Sequence, residues 1–167
     1  MGAIMISMDI ESVRIHPLTP DDWARFRDLR LLALAEAPYA FASTLSEAQA
    51  RTDQVWGQIL TARTQFVATV DGRELGTIGG VPELGAAHVV SMWVAPEGRG
   101  TGIADLLVRT IIDWAAAQGL PTLRLEVSDG NGAAERLYHR HGFRRTGALG
   151  PISATDPRLE FEMRLAL

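Results

Sequence analysis

Three glycines stand close together in the segment 94–104, where an apolar run ends and a helical pattern begins. Gly98, Gly100 and Gly102 fall within five residues of the chain. Glycine lets backbone N–H groups approach a ligand closely, and the start of a helix adds partial positive charge. Successive N–H groups of this kind bind phosphate, and Arg99 adds a full positive charge within the loop. The spacing therefore indicates a cradle for a pyrophosphate.

Other interpretations of this loop compete with the first. Glycine-rich turns that bind nothing are common, and the glycines alone support that explanation equally well. A dinucleotide-binding fingerprint does not fit, because neither Gly98 nor Gly100 begins a complete G-x-G-x-x-G/A run. A phosphate loop of the GxxxxGK type is excluded, because the chain has no lysine and its sixteen Lys and Arg positions are all arginine.

Two segments resemble the signatures of one family, the GNAT superfamily of acetyl-CoA-dependent N-acetyltransferases. The segment 99–104 is similar to the family's R/Q-x-x-G-x-G/A, and Val-Ala-Pro before it matches the usual V-x-P. The segment 131–143 is similar to N-x-x-A-x-x-L-Y-x-x-x-G-F. Ala104 stands where glycine is commoner. The resemblance extends from about Val13 to the C-terminus, although residues before Val67 match mainly in pattern.

The resemblance implies transfer of an acetyl group from acetyl-CoA, the co-substrate, to a primary amine. In the family the loop amides hold the coenzyme pyrophosphate, and a tyrosine at the position of Tyr138 protonates the departing thiolate. Asn131 would hydrogen-bond the coenzyme or a catalytic water. The residues expected to bind the coenzyme are Met92, Trp93, Val94, Arg99, Gly100, Thr101, Gly102, Ile103, Ala104, Asn131, Ala134 and Tyr138. Alternatively, Tyr138 only packs against Phe143 and Asn131 only caps a helix.

Acetyl transfer to an amine requires a neutral amine, a stabilised oxyanion and a proton for the leaving thiolate. Neutralising a lysine-like amine at pH 7 costs about 4.6 kcal/mol, whereas an α-amine of pKa near 8 costs about 1.4 kcal/mol. His88 lies at the strand position where histone-acetyltransferase-like relatives place a glutamate base, and an imidazole can accept a proton through water. Glu126 is the second candidate base. Both residues also have a plainer interpretation, as polar side chains at strand ends.

The acceptor is expected to be a small-molecule or peptide amine, and its class stays open among a protein N-terminus, a lysine, a polyamine, an amino acid and a drug. Four aromatic residues either line its site or, as is more usual, pack in the core: Tyr39, Phe41, Trp56 and Trp93. The absence of cysteine excludes disulfides, thiolate metal sites and a cysteine nucleophile. Direct attack in a ternary complex is therefore expected instead of an acyl-enzyme. No metal site is predicted.

The composition is that of an ordinary globular domain, with 47% hydrophobic and 22% charged residues and a formal net charge of −4. No basic field draws such a chain to nucleic acid or an anionic membrane, and neither partner is expected. One domain over 1–167 is expected, in the cytoplasm, because the N-terminal apolar stretch is too short for a signal sequence. Residues 1–10 are expected to be disordered or partly an added extension, with Met8 as an alternative start. GNAT relatives are often dimers, which makes a homodimer an open expectation.

Hydrophobic patterning predicts a mixed α/β fold in the order β-α-α-β-β-β-α-β-α-β-β. A strand ending at Pro17 leads to a helix whose apolar positions are Trp23, Phe26, Leu29, Leu32 and Leu34. Capping signals at Thr44 and Thr52 indicate further helix starts. Later helices are expected at 103–117 and 133–140, and strands at 65–70, 74–81, 88–94, 123–127, 143–145 and 159–165. The run 88–94 is expected to be covered on both faces, and the resemblance implies a mixed, mostly antiparallel sheet flanked by helices.

A non-catalytic acyl-CoA-binding sensor is the alternative function. It would keep the loop around Gly100 and Gly102 but would not need Tyr138, whose presence favours an enzyme. A nucleotide-dependent oxidoreductase would need a fingerprint that the chain lacks.

Overall fold

The structure is a computed structural model that describes residues 8–167. The expectation about residues 1–10 falls mainly on residues 1–7, which lie outside the described residues. A short 3-10 turn at Ile10–Ser12 precedes the first strand. Among the helices of residues 8–167, none combines the length and the apolar character needed to cross a membrane.

Seven strands and five α-helices make up the described part of the chain. The strands are β1 (Arg14–Pro17), β2 (Thr64–Val70), β3 (Arg73–Glu83), β4 (Ala86–Val94), β5 (Thr122–Ser128), β6 (Arg144–Ser153) and β7 (Asp156–Ala166). The helices are α1 (Trp23–Glu36), α2 (Leu45–Gln49), α3 (Asp53–Thr61), α4 (Ile103–Ala117) and α5 (Gly132–Arg140).

All seven strands belong to one sheet, in the order β1-β2-β3-β4-β5-β7-β6. Neighbouring strands are antiparallel except β4 and β5, which are parallel and joined by the crossover helix α4. Parallel strands need such a connection, because the chain must return to the same end of the sheet. The predicted mixed, mostly antiparallel sheet with flanking helices is confirmed.

β4 and β5 pair over only two residues and then separate. Ala87 and His88 are the last residues of β4 with a partner in β5. Further along β4, Ser91 has a φ of 52°, which is uncommon outside glycine. The register of β4 against β3 shifts across Ser91 and Met92, and an extra residue of this kind bends a strand. The two parallel strands therefore enclose an open slot beyond His88.

The segment between β1 and β2 differs from the predicted element order, because three helices occupy it instead of two. Both capping signals are used: Thr44 and Glu47 form a capping box at α2, and the Thr52 side chain accepts a hydrogen bond from the Val55 backbone at α3. Within α1 the inward positions include Leu29 and Ala33, so Leu32 was wrongly placed on the apolar face and is 54% exposed.

Two predictions for the strands were also wrong. β6 is much longer than predicted, because it lies at the sheet edge with mostly exposed residues and carries no hydrophobic alternation, and β7 begins three residues before its predicted start. β4 is not covered on both faces: Ala87 and Val89 are buried, whereas His88 and Val90 are only half-buried. The half-buried side of β4 remains accessible in the open slot.

Helix α4 lies close against the sheet because β3 presents glycines beneath it. A Cβ atom on Gly76 would lie 2.9 Å from Cδ1 of Leu107, and one on Gly80 would lie 2.7 Å from Cζ3 of Trp114. Both separations are too short for carbon atoms in contact. The close approach fixes where α4 begins, directly after the glycine loop.

Asp105, in the first turn of α4, connects this helix with the end of α5. Its carboxylate accepts hydrogen bonds from Nε and Nη2 of Arg140 at 2.8 and 2.9 Å, and lies 2.7 Å from Nε2 of His141. The hydrogen bonds from Arg140, followed by that from His141, lower the pKa of Asp105 to about 2 against the opposing effect of partial burial. The ionised carboxylate therefore stabilises the contact between the two helices.

Asp105→Asn should lower the free energy of unfolding at pH 7 by about 1–2 kcal/mol, since one pKa unit corresponds to about 1.4 kcal/mol and partial exposure reduces the effect. The folded pKa lies below the ordinary value of 3.8. The stabilisation is therefore complete above about pH 4 and is lost as the pH falls toward 2. Urea unfolding of both proteins at several pH values between 7 and 3 measures the difference. Asp113→Asn, at an exposed position of the same helix, is the control. A difference that does not shrink on acidification would contradict the role of the charge.

Candidate active site

A cavity of about 440 Å³ lies where β4 and β5 separate. β4, β5, α1, α5 and the chain flanking α2 and α3 all contribute to its wall. The polar side chains in the lining are Arg30, Ser43, Arg51, Arg63, His88, Ser91, Glu126, Ser128, Asn131, Tyr138 and Glu160. A cavity of this size accommodates a small molecule or the end of a larger one.

His88 and Glu126, the two candidate bases, are hydrogen-bonded to each other through Nε2 and Oε2. The sheet explains this contact: His88 is opposite Arg124 on β5, and Glu126 follows two residues later on the same face. The other oxygen of Glu126 accepts a hydrogen bond from Nη1 of Arg124 at 2.5 Å. Arg124 also donates to both oxygens of Glu83, at 2.6 and 2.7 Å. Two candidates from separate strands thus form one network.

The network keeps Glu126 ionised. The hydrogen bond from His88 is the main cause that holds the pKa of Glu126 below its ordinary value, and Arg124 adds to it, while burial acts in the opposite direction. A carboxylate cannot donate, so Nε2 of His88 carries the proton of the shared hydrogen bond. Nδ1 of His88, 3.8 Å from Oε1 of Glu83, is then the nitrogen able to accept a proton.

Tyr138 lies on α5, is only 6% exposed and forms part of the cavity wall. Its ring packs edge-to-face on Phe143, with centroids 5.6 Å apart. Both interpretations of this residue therefore describe its position, because it packs at the edge of the core and also reaches the cavity. Burial raises the pKa of Tyr138. The phenol keeps its proton at neutral pH and is able to donate it.

The glycine loop adopts a left-handed backbone conformation at two of its glycines. Gly100 and Gly102 have φ angles of 74° and 96°, in a region that side chains other than glycine rarely adopt. Gly102 immediately precedes α4, where no side chain caps the helix. The first N–H groups of the helix have no partner within it, and the helix dipole favours an anion at this end. Thr101 donates from Oγ1 to the carbonyl of Gly98 at 2.5 Å, which closes the turn.

Arg99 does not present a free charge beside the loop. Its Nη2 lies 2.6 Å from Oε2 of Glu36, at the end of α1, and its Nε donates to the carbonyl of Val94 at 3.1 Å. Trp93 donates from Nε1 to the same Glu36 oxygen at 2.9 Å. Arg99 thus links the loop to α1, and backbone amides remain as the donors for an anion.

The predicted coenzyme residues divide into three groups. Met92, Asn131, Ala134 and Tyr138 line the cavity. The loop residues 99–104 lie outside the cavity lining, at the start of α4. The side chains of Trp93 and Val94 are buried in the core. Asn131 also caps α5, because its Oδ1 accepts a hydrogen bond from the backbone of Ala134 at 3.2 Å.

The four candidate acceptor aromatics separate in the same way. Phe41 lines the cavity, and Tyr39 lines a smaller neighbouring depression formed by residues 128–133. Trp56 is 1% exposed and packs edge-to-face on Phe26. Trp93 is also in the core. Trp56 and Trp93 therefore pack in the core and do not line the cavity, which was the second of the two interpretations given for them.

Sequence reasoning missed four charged residues of the cavity: Arg30, Arg51, Arg63 and Glu160. For Arg30 a signal exists, because the buried face of α1 runs through Phe26, Leu29, Ala33 and Leu34 and places Arg30 among them. An arginine within the apolar stripe of a helix is unusual enough to be noted. Arg51 and Arg63 lie in the chain between elements, and Glu160 occupies a polar position of the alternating strand β7, where a carboxylate gives no signal.

The sequence matches known acetyltransferases. Residues 26–143 match the model of the Acetyltransferase (GNAT) family. The chain is 38% identical over 94 residues to the probable N-acetyltransferase family 8 member 5 of Mus musculus, covering 53% of this chain and 41% of that protein. It is 36% identical over 80 residues to an uncharacterised N-acetyltransferase of Methanocaldococcus jannaschii, covering 47% and 51%. The chain thus spans about half the length of these curated relatives.

The fold matches solved acetyltransferases as well. A ribosomal L7/L12 alpha-N-protein acetyltransferase solved in complex with coenzyme A superimposes with a TM-score of 0.75 over 93% of this chain and 94% of that one. The two sequences are 11% identical, so the likeness concerns the fold alone. The family model, by contrast, covers most of the chain and includes both the glycine loop and the segment that carries Tyr138. On these grounds the chain belongs to the GNAT family of acetyltransferases.

Proposed function

We propose that this chain transfers the acetyl group of acetyl-CoA to a primary amine by direct attack in a ternary complex. The observation that carries the proposal is the cavity between β4 and β5, which His88, Glu126 and Tyr138 line together. β4 itself continues into the glycine loop at the start of α4. A side chain able to accept a proton and one able to donate a proton thus line one cavity, and a loop suited to an anion follows β4, which supports transfer from a thioester to an amine.

The coenzyme would be held along β4 and at the start of α4. The amides at the beginning of α4 fit its pyrophosphate, because they are free donors at the positive end of a helix. Backbone groups of Met92, Trp93 and Val94 that have no partner in β5 fit the amides of the pantetheine arm. The backbone rather than the side chain of Trp93 and Val94 would act, since both side chains are buried in the core.

The reaction would use His88 and Tyr138 at its two ends. Nδ1 of His88 accepts a proton from the acceptor ammonium through water, and the carboxylates of Glu126 and Glu83 stabilise the imidazolium that forms. The neutral amine attacks the thioester carbonyl, and the carbon–sulfur bond breaks. The phenol of Tyr138 gives its proton to the departing thiolate, and solvent or the new product returns it.

The first test is binding of coenzyme A at the loop. At 100 times its dissociation constant the coenzyme should add about 2.7 kcal/mol to the stability of the fold, seen as a rise in Tm. Gly102→Asp should abolish the rise, because it places a negative charge where the pyrophosphate binds. Gly85→Asp is the control for an added charge at a glycine of positive φ: its φ is 71° and an added Cβ meets nothing there, whereas a Cβ on Gly102 would lie 3.1 Å from Cδ1 of Ile10. No rise with millimolar coenzyme, or equal loss in both variants, would contradict the site.

Tyr138→Phe should lower kcat by about 10²–10⁴-fold, the usual effect of losing a general acid. The affinity for acetyl-CoA should change little, since the ring that packs on Phe143 is retained. Release of free thiol in the presence of a panel of amines measures kcat, and calorimetry measures binding. Tyr39→Phe removes the exposed hydroxyl of the other tyrosine as a control. An unchanged kcat would show that Tyr138 is not the general acid and only packs against Phe143. Coenzyme binding without thiol release for any amine would instead favour the sensor function.

His88→Gln should reduce kcat/KM more for lysine-like amines than for amines of pKa near 8, because only the former need substantial help to lose a proton at neutral pH. His16→Gln, on the edge strand β1, is the control, since His16 is exposed and bonds only Thr69 among the described side chains. Glu126→Gln should show the same preference to a smaller degree. Equal losses for the two amine classes would place the base elsewhere.

A further inference from the structure

Three arginines lie in the part of the cavity formed by α1 and the chain around α3. Arg30 is in the middle of α1, Arg51 lies between α2 and α3, and Arg63 lies between α3 and β2. Each guanidinium lies over an aromatic ring. The distances to the ring centroid are 4.3 Å from Arg30 to Phe41, 5.1 Å from Arg51 to Trp56 and 4.8 Å from Arg63 to Phe26. We refer to Arg30, Arg51 and Arg63 as the arginine cluster.

The arginine cluster has no carboxylate partner in the part of the chain that the structure describes. None of its members forms an ion pair with residues 8–167, whereas Arg124 and Arg140 each bind acidic side chains. Arg30 is 7% exposed, and its Nη1 is buried without a hydrogen-bond acceptor. Nε of Arg63 is also buried without a hydrogen-bond acceptor. Buried guanidinium groups that lack partners are costly, because the lost hydration is not replaced.

Burial and mutual repulsion also destabilise the charged forms of the arginine cluster. Burial, followed by repulsion from Arg51, lowers the pKa of Arg30 to about 10. Burial, followed by repulsion from Arg30 and Arg51, lowers the pKa of Arg63 to about 9. Both groups still carry their charge at neutral pH. The cluster is therefore a concentrated positive charge whose stacking on aromatic rings compensates it only in part.

The other polar part of the same cavity is negative. Glu126 is held as a carboxylate, and Glu160 joins it in the lining. Among the described residues neither forms an ion pair with the arginine cluster. The cavity thus offers carboxylates and His88 on the β4–β5 side, and guanidinium groups on the α1–α3 side. A ligand with one positive and one negative group would complement both.

We propose that the arginine cluster binds an anionic group, a carboxylate or a phosphate, of the amine acceptor, whose amino group then lies beside His88 and Glu126. Planar guanidinium groups match both anions in geometry and charge. The phosphates of the coenzyme are not the anion meant here, because the glycine loop that suits them contributes nothing to the described lining of this cavity. The inference deepens the proposed transferase function and rests on it.

Matched acceptors test the inference. ω-Amino acids from β-alanine to 6-aminohexanoate and the corresponding ω-aminoalkyl phosphates are compared with alkylamines of equal length, with thiol release as the readout. The native protein should favour at least one acid by tenfold or more in kcat/KM over its alkylamine. Preference for the carboxylate or the phosphate series identifies the anion. Equal rates for acids and alkylamines, with transfer otherwise measurable, would overturn the inference and leave the proposed function intact.

Arg30→Met and Arg63→Met should reduce this preference for the acid by tenfold or more, because each removes one charge from the anion site. Arg51→Met, at a half-buried position outside the helices and strands, serves as a further variant if either of the others fails to fold. Arg109→Met is the matched control, since it removes an equal charge from an exposed position of α4. A preference for the acid that survives in all three cluster variants would overturn the inference.

A second readout does not depend on catalysis. Hexanoate and hexyl phosphate carry the anion without an amine, and at least one should raise the Tm of the native protein and of Arg109→Met but not of Arg30→Met. If no amine is acetylated while this Tm pattern holds, the proposed function fails and the anion site stands. If neither anion raises the Tm of the native protein, the anion site fails whatever the acetylation assay gives.

Discussion

The separation of β4 from β5 after two residue pairs is the constraint on which the rest of the site depends. Neighbouring strands normally pair along their shared length, because an unpaired backbone N–H or C=O group in the interior costs free energy. Here pairing ends at His88, and the shift of register at Ser91 and Met92 bends β4 away. The backbone groups that are left unpaired, and the space between the strands, become available to a ligand.

This separation also collects residues that are distant in sequence. β4 carries His88 and continues into the glycine loop, while β5 carries Glu126 and continues into α5 with Asn131 and Tyr138. The crossover through α4 is needed to make β4 and β5 parallel, and parallel strands bring both following segments to the same edge of the sheet. The glycines of β3 allow α4 to pack closely enough for that arrangement, and Asp105 holds α4 to the end of α5.

Charge is distributed in two different ways within one cavity. Around His88, three charged side chains are connected by hydrogen bonds: Glu126 accepts from His88 and Arg124, and Arg124 also donates to Glu83. Such a network keeps its geometry because breaking any member leaves an uncompensated charge. The arginine cluster is uncompensated in the described chain, and we have assigned that difference to the acceptor. Helix α1 connects the arginine cluster with the glycine loop, since it carries Arg30 at its middle and Glu36, which bonds Arg99 of the loop, at its end.

The sequence by itself determined the family, the strand–loop–helix unit and most helix starts. These features depend on neighbours along the chain: glycines where φ must be positive at Gly100 and Gly102, capping side chains at Thr44 and Thr52, and apolar periodicity in α4. Local backbone chemistry is nearly independent of the remainder of the fold, which is why it can be identified from the residues alone. Edge strands such as β6 were misjudged, because little of their surface is buried and no alternation marks them.

Only the tertiary structure decided how the candidate residues combine. That His88 is hydrogen-bonded to Glu126, that Arg99 is paired with Glu36, and that Trp56 belongs to the core all follow from strand register and helix packing between distant segments. The arginine cluster is the clearest case, since Arg30, Arg51 and Arg63 are spaced by no regular period. Whether an arginine is paired depends on what folds against it. The packing of α1 and α3 beside the sheet left these three lining one cavity with no ion pair to any carboxylate of the described residues.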